Sequence, residues 1–133
     1  EVIKVEPKKG DPTRHLQSTG AGFFASFSRN KKSVTLDLDT PGGIDTVKKL
    51  VAKADVLLEN FRPGALKSKG LGYEDLAKAN PRLIYCSLKG FLPGPYEKRT
   101  ALDEVVQMMS GLAYMTGPVG RPLRAGSPST TRP

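Results

Sequence analysis

Short apolar runs alternate with longer amphipathic stretches along this chain. The apolar runs are rich in Val, Ile and Leu, and they predict four β-strands, at residues 2–5, 33–38, 56–59 and 83–88. Between the second and third runs, a helix is predicted near Pro41, and its apolar residues share one face: Ile44, Val47, Leu50 and Val51. Strands that alternate with helices predict an α/β fold with a mostly parallel sheet and flanking helices.

Weaker helical signals follow the third and fourth strands. Residues 65–69 predict one or two turns that end at Gly70, and residues 72–80 predict a further short helix. Beyond the fourth strand, a Gly- and Pro-rich loop leads to a helix predicted at residues 102–114. Residues 117–133 are predicted to be loop.

Length and composition limit the classes of function. A chain of 133 residues with 38% hydrophobic content can build one modest core. Its apolar runs are shorter than the roughly 20 residues of a membrane span, so no membrane partner is expected. His15 is the only histidine and Cys86 the only cysteine, which disfavours Ser-His hydrolase chemistry and any metal site. Cys86 lies in the fourth apolar run, where a structural role is expected.

The formal net charge of +8 raises the hypothesis of nucleic-acid binding. The basic residues are dispersed over predicted helix faces and loops without an interleaved aromatic stripe, so no nucleic-acid partner is expected. Cations in loops that follow strands are a different matter, because they could receive a small ligand that carries several phosphates. Ligands of open α/β sheets bind beyond the carboxyl ends of strands, which makes residues 60–64, Asn-Phe-Arg-Pro-Gly, a candidate site.

A set of short motifs, ordered along the chain, resembles a known family. The motifs are Gly-Asp-Pro-Thr-Arg at 10–14, Arg-Asn-Lys-Lys-Ser-Val-Thr-Leu-Asp-Leu at 29–38, Asp-Val-Leu-Leu-Glu-Asn-Phe-Arg-Pro-Gly at 55–64, Gly-Leu-Gly-Tyr at 70–73, Asn-Pro-Arg-Leu-Ile-Tyr at 80–85 and Ser-Gly-Leu at 110–112. Asp103 and Gln107 belong to the same set. Each motif is weak alone, but the ordered set resembles the class III CoA-transferases, the family of formyl-CoA transferase and carnitine CoA-transferase.

This resemblance implies an activity: coenzyme A is moved between carboxylic acids through anhydride and thioester intermediates on an aspartate. It also implies a Rossmann-like fold in a longer two-domain subunit of an interlocked homodimer. This chain would then be an incomplete fragment, with residues 1–116 in the CoA-binding domain and 117–133 a loop that diverges from the family after residue 127. Acyl-CoA and carboxylic acids are the implied substrates, without a permanent cofactor. A cytoplasmic location is expected, or a mitochondrial one in a eukaryote.

CoA carries a 3′-phosphate and a pyrophosphate, which cations and backbone N–H groups at strand ends can bind. The CoA-binding residues expected from the resemblance follow three strands: Lys8 and Lys9, Leu36 and Asp39, and Asn60, Phe61 and Arg62. The two lysines are candidates for the 3′-phosphate, although ordinary solvated lysines are the alternative. The second pair would border the adenine, and the last three would line the nucleotide or pantetheine.

The catalytic aspartate of the family is missing from its expected position. Residues 122–127, Pro-Leu-Arg-Ala-Gly-Ser, match the family, and the register then places the nucleophile near position 131, where Thr131 stands. A threonine hydroxyl without a nearby base cannot form the acyl anhydride. We therefore expect a chain that is inactive alone, through truncation, a change of reading frame or a pseudo-enzyme that keeps only CoA or nucleotide binding.

The start of the predicted helix at residue 102 bears on a third alternative. An acyl-CoA racemase of the same family needs a His-Asp pair there, and this chain has Asp103 without a neighbouring histidine. Asp103 is a possible active-site residue, with a helix N-cap as the alternative role. Arg121 and Arg124 weakly favour a dicarboxylate as the acceptor acid.

Overall fold

The computed structural model describes residues 1–17, 22–99 and 101–125. The strands are β1 (Val2–Glu6), β2 (Lys31–Thr35), β3 (Val56–Glu59) and β4 (Ile84–Ser87). The helices are α1 (Phe23–Phe27), α2 (Pro41–Val51), α3 (Tyr73–Ala79), α4 (Asp103–Met109) and α5 (Leu112–Thr116), with 3₁₀ turns at Pro12–His15 and Lys67–Lys69. Within these ranges, no helix combines the length and apolar character needed to cross a membrane.

The chain divides into two compact units, Glu1–Val47 and Lys48–Ser127. In the first unit β1 pairs with β2, and in the second β3 pairs with β4; both pairs are parallel. The predicted α/β class is therefore confirmed. The described strands form two separate two-stranded sheets rather than one continuous sheet.

Two predicted elements differ from the structure at turns. β2 ends at Thr35 rather than near residue 38, because the Asp37 carboxylate accepts the Asp39 N–H at 3.0 Å and draws the chain into a turn. The helix predicted at 102–114 is two helices, α4 and α5. Gly111, with φ of +81°, separates them, since this left-handed conformation cannot continue an α-helix.

The sequence predicted no element at α1, a five-residue helix whose aromatic residues favour strands. The position of α1 is stabilised by contacts between one of its aromatic rings and two cationic side chains. The Phe24 ring lies 3.9 Å from the guanidinium carbon of Arg14 and 4.5 Å from Lys4 Nζ. Cation–π contacts of this kind join α1 to the end of β1.

Leucines from loops and from α3 form the core of the second unit. The buried apolar side chains there are Val51, Leu66, Leu71, Leu76, Leu83 and Ala113. Asn80, which the sequence predicted to end α3, does so, and its Nδ2 donates to the carbonyls of Val51 at 2.9 Å and Ala54 at 2.7 Å. These bonds fasten the end of α3 to the end of α2.

A buried glutamate ends β1. Glu6 is 3% exposed, and its carboxylate accepts from Arg14 Nε at 2.8 Å, Ser33 Oγ at 2.9 Å and the Asp11 N–H at 3.0 Å. The Arg14 hydrogen bond, opposed by burial, is the main reason that the pKa of Glu6 falls from 4.5 to about 2. The ionised carboxylate therefore ties β1, β2 and the following 3₁₀ turn together.

We predict that Glu6 makes this chain acid-sensitive. Because its folded pKa is depressed, its stabilising contribution is full above about pH 4.5 and is lost as the pH falls towards about 2. A shift of this size corresponds to on the order of 3 kcal/mol at neutral pH. Glu6→Gln should lower stability at pH 7 and flatten its dependence on pH below 5, as measured by urea midpoints. Glu74→Gln, an exposed carboxylate on α3, is the control, and equal pH slopes in wild type and Glu6→Gln would contradict the prediction.

Adjacent glycines at the start of α2 should respond oppositely to alanine. A Cβ on Gly43 would lie 1.9 Å from the Asp37 carbonyl oxygen, whereas a Cβ on Gly42 would meet open space. Gly43→Ala must displace the preceding turn and should cost about 1–3 kcal/mol. Gly42→Ala should stabilise the helix by up to about 1 kcal/mol. Thermal unfolding of both variants checks this, and similar shifts would refute the close packing at Gly43.

Candidate functional site

The first unit places two loops at one edge of its sheet. β1 and β2 end side by side, with Glu6 opposite Thr35. The loop after β1 carries Lys8 and Lys9, and Lys8 Nζ lies 3.3 Å from Asp37 Oδ2 in the loop after β2. Lys8 nevertheless has a side chain 73% exposed, so its ammonium group can exchange this partner for a ligand phosphate.

The residues predicted to border adenine lie in the second of these loops. Leu36 is half-buried, and its N–H donates to the Glu6 carbonyl at 2.9 Å, so it follows β2 directly. Asp39 is exposed in the turn that follows. The structure thus brings the predicted lysine loop and the predicted adenine loop to the same sheet edge.

Backbone turns and the buried glutamate shape the lysine loop. The Gly10 N–H donates to the Pro7 carbonyl at 2.8 Å, and Gly10 has a φ of +78° that favours glycine. The Asp11 N–H then returns to the Glu6 carboxylate. Glu6, the last residue of β1, thus precedes the loop with Lys8, and its carboxylate also binds the residue that follows the loop.

The second unit places the remaining predicted residues beyond β3. Asn60, Phe61 and Arg62 are all exposed. Of these three residues, Arg62 lines a cavity of about 150 Å³, whereas Asn60 and Phe61 line neither this cavity nor a second one of about 370 Å³ beside Pro63. Both cavities share three lining residues: Gly64, Ser87 and Lys89.

A buried ion pair at this edge was missed by the sequence analysis. Glu59, the last residue of β3, is 8% exposed, and Lys89 Nζ lies 2.7 and 2.8 Å from its two carboxylate oxygens. Ser87 Oγ, on the paired strand, donates to the same carboxylate. A carboxylate at the end of an apolar run and a lysine just after the next run were the signals available in the sequence, because a buried charge requires a partner.

The charge of Glu59 is favoured despite its burial. Desolvation raises its pKa, but hydrogen bonds from Lys89, Ser87 and the Phe61 N–H outweigh it, so the pKa is lowered from its usual 4.5. Burial also raises the pKa of the Tyr85 hydroxyl. Tyr85 and Glu59 both line the cavity of about 150 Å³. At the end of β3, Glu59 is therefore ionised, and the Lys89 ammonium neutralises its charge.

Asp103 lies at the first turn of α4, but it is not the N-cap. Leu102 occupies that position, and the Asp103 carboxylate instead accepts from Gln107 Nε2 at 2.9 Å and from Arg124 Nη2 at 2.9 Å. The N-cap interpretation is therefore wrong, because Asp103 is already helical and its side chain is engaged by these partners. Gln107 first and then Arg124 lower the pKa of Asp103.

Gln107 and Arg124 fasten the loop at residues 122–125 to α4. Gln107 is buried; its Oε1 accepts the Ala125 N–H at 2.7 Å, and its Nε2 approaches the Ala125 carbonyl at 3.4 Å. Arg124 pairs with Asp103 and also with Glu104, at 2.5 Å. In this structure the guanidinium that was expected to favour a dicarboxylate binds two carboxylates of its own chain.

Position 131, where Thr131 replaces the expected aspartate, lies outside the described residues. Within the described ranges, no group of three or more His, Cys, Asp and Glu side chains has an arrangement that could hold a metal ion.

Gln107 should control the order of the loop at 122–125. Gln107→Leu removes both bonds to Ala125, so exchange of the Ala125 amide should accelerate by about tenfold, as expected for the loss of a buried hydrogen bond. Met108→Leu, at an exposed neighbouring position, should leave it unchanged. Hydrogen exchange followed by NMR measures both, and equal protection in wild type and Gln107→Leu would contradict the prediction.

Comparisons with known proteins agree with one another. A family model described as CoA-transferase family III matches residues 1–130. The succinyl-CoA:glutarate CoA-transferase of Mus musculus is 45% identical over 133 residues, covering 95% of this chain and 30% of the mouse protein. The succinate–glutarate CoA-transferase of Agrobacterium fabrum is 42% identical over 139 residues, covering 95% of this chain and 35% of that protein. The chain thus spans about a third of the length of these relatives.

A solved structure supports the same relationship. The crystal structure of a CAIB/BAIF family protein from Brucella suis superimposes with a TM-score of 0.87 at 42% identity. The match covers 96% of this chain and 36% of that chain.

Proposed function

The chain belongs to CoA-transferase family III, and from this premise we propose that the protein takes part in the transfer of coenzyme A between carboxylic acids. The observation that carries the proposal is the pairing of the Lys8 loop with the loop after β2 at one sheet edge. Strand-end loops with cations suit the phosphates of CoA. We assign Lys8 and Lys9 to the 3′-phosphate, and Leu36 and Asp39 to the adenine.

The substrates proposed are dicarboxylic acids and their CoA thioesters. Both relatives described above are named for succinate or succinyl-CoA and glutarate. In the second unit, we propose that Asn60, Phe61 and Arg62 contact the nucleotide or pantetheine; the cavity beyond β3 that Arg62 lines supports this proposal. CoA is a substrate in this scheme, and no permanent cofactor is required.

The chemistry proposed for the first half of the reaction, which loads CoA onto the enzyme, uses an aspartate. Its carboxylate attacks the acyl-CoA carbonyl to form an anhydride and release the CoA thiolate, which then attacks the anhydride to give an aspartyl thioester and the free acid. Thr131 cannot perform this step. We therefore propose that the 133-residue chain holds CoA without catalysing transfer, and that Asp103 is a site residue that positions the loop at 122–125 through Arg124.

A homodimer is part of the same proposal. α5 exposes Tyr114 at 65% and Met115 at 83%, an apolar surface that a second subunit would cover. A cytoplasmic or mitochondrial location is proposed with it. The second candidate, favoured by Thr131, is a pseudo-enzyme that only binds CoA or a nucleotide and takes no part in transfer, whereas an acyl-CoA racemase has less support because no histidine adjoins Asp103.

Calorimetric titration with CoA tests the proposed site. Changing both Lys8 and Lys9 to Ala should weaken CoA binding by about tenfold or more, because charge-assisted hydrogen bonds to phosphate are lost. The same double change should have little effect on 3′-dephospho-CoA. The matched control changes Lys31 and Lys32 to Ala, which removes equal charge at the opposite end of β2.

Three results would overturn this assignment. They are the absence of CoA binding by a cooperatively folded wild-type chain, equal weakening by the two double variants, and equal weakening for CoA and 3′-dephospho-CoA.

A further inference from the structure

The ion pair at the end of β3 binds both backbone polar groups of Phe61 in the next loop. Lys89 Nζ binds the two Glu59 carboxylate oxygens and also donates to the Phe61 carbonyl. Glu59 in turn accepts the Phe61 N–H at 2.7 Å. The N–H and the carbonyl of Phe61 are therefore both fixed by one pair of charged side chains.

We propose that Glu59 and Lys89 are positioning residues that hold the loop at 60–62 in the conformation that binds CoA. This inference rests on the proposed function for the identity of the ligand. Lys89 also lines both cavities beyond β3, so exchange of the Phe61 amide in the chain without CoA, which a direct contact between Lys89 and CoA would not affect, is the measurement specific to a positioning role. Because the loop is already ordered in the folded protein, CoA binding does not have to offset the conformational entropy lost on ordering it.

The exposure of the loop supports a positioning role. Phe61 is 46% exposed, and Asn60 and Arg62 are also exposed, so packing of the loop side chains contributes little to its order. By contrast, Glu59 is buried and Lys89 is half-buried, with side chains 6% and 22% exposed. A buried ion pair adds little net stability compared with well-packed apolar side chains of similar volume. Its distinctive effect here is on the geometry of Phe61.

The test replaces the pair by apolar side chains of similar size. The double variant Glu59→Leu/Lys89→Met removes both bonds to Phe61 and leaves no unpaired buried charge, so its unfolding midpoint should stay close to that of wild type. Exchange of the Phe61 amide should accelerate, and CoA should bind about tenfold more weakly, the effect of losing the ordered loop. NMR hydrogen exchange and calorimetry measure the two effects on the full chain.

Three further variants separate positioning from general destabilisation. Lys89→Arg keeps a cationic donor for both Glu59 and the Phe61 carbonyl and should retain most of the wild-type affinity for CoA. Val51→Ala weakens the core of the same unit and should lower the unfolding midpoint without changing CoA affinity while the chain is folded. If the double variant does not fold, Glu59→Gln/Lys89→Met replaces it, since it removes the bond from Lys89 to the Phe61 carbonyl and leaves no unpaired charge.

The outcomes distinguish this inference from the proposed function. Wild-type CoA affinity in a folded double variant would overturn the positioning role, as would unchanged protection of the Phe61 amide. If the folded wild type does not bind CoA, the proposed function fails. In that case, faster Phe61 exchange in the double variant would still support fixation of the loop by the pair, and equal exchange would overturn it.

Discussion

A buried carboxylate at the end of a parallel strand is the constraint on which much of this structure depends. Glu6 ends β1 and Glu59 ends β3, and both are nearly inaccessible to solvent. An ionised carboxylate cannot be buried without partners, because desolvation would cost far more than the stability of a small domain. The segments that follow each strand must therefore place cations and N–H groups against the buried carboxylate.

The two units meet this requirement in the same way. Each carboxylate accepts a serine hydroxyl from the paired strand, an ionic hydrogen bond from a later segment and an N–H from the loop that follows. The partners are Ser33, Arg14 and the Asp11 N–H in the first unit, and Ser87, Lys89 and the Phe61 N–H in the second. The loops fixed in this way are those that carry the residues proposed for CoA, so the requirement to satisfy a buried charge also orders a candidate binding surface.

The sequence was most informative where local rules agree with tertiary packing. β3 was predicted at its observed bounds, and Asn80 was predicted to end α3. It was less informative where one backbone conformation decides, as at Gly111, whose left-handed φ divides one predicted helix into two. The position of Asp103 at N1 rather than at the N-cap also depends on Gln107 and Arg124, which lie 4 and 21 residues further along the chain.

Hydrophobic periodicity and ordered motifs determined the α/β class, the parallel direction of the strands and the family, because these depend on residue types and their spacing. Tertiary structure decided which polar groups meet. Ser87 and Lys89 reach Glu59 across 28 and 30 residues, and no local pattern gives the partner of a buried charge. The sequence therefore named the candidate loops, whereas the fold chose the side chains that hold them, since pairing across the sheet is set by register and packing.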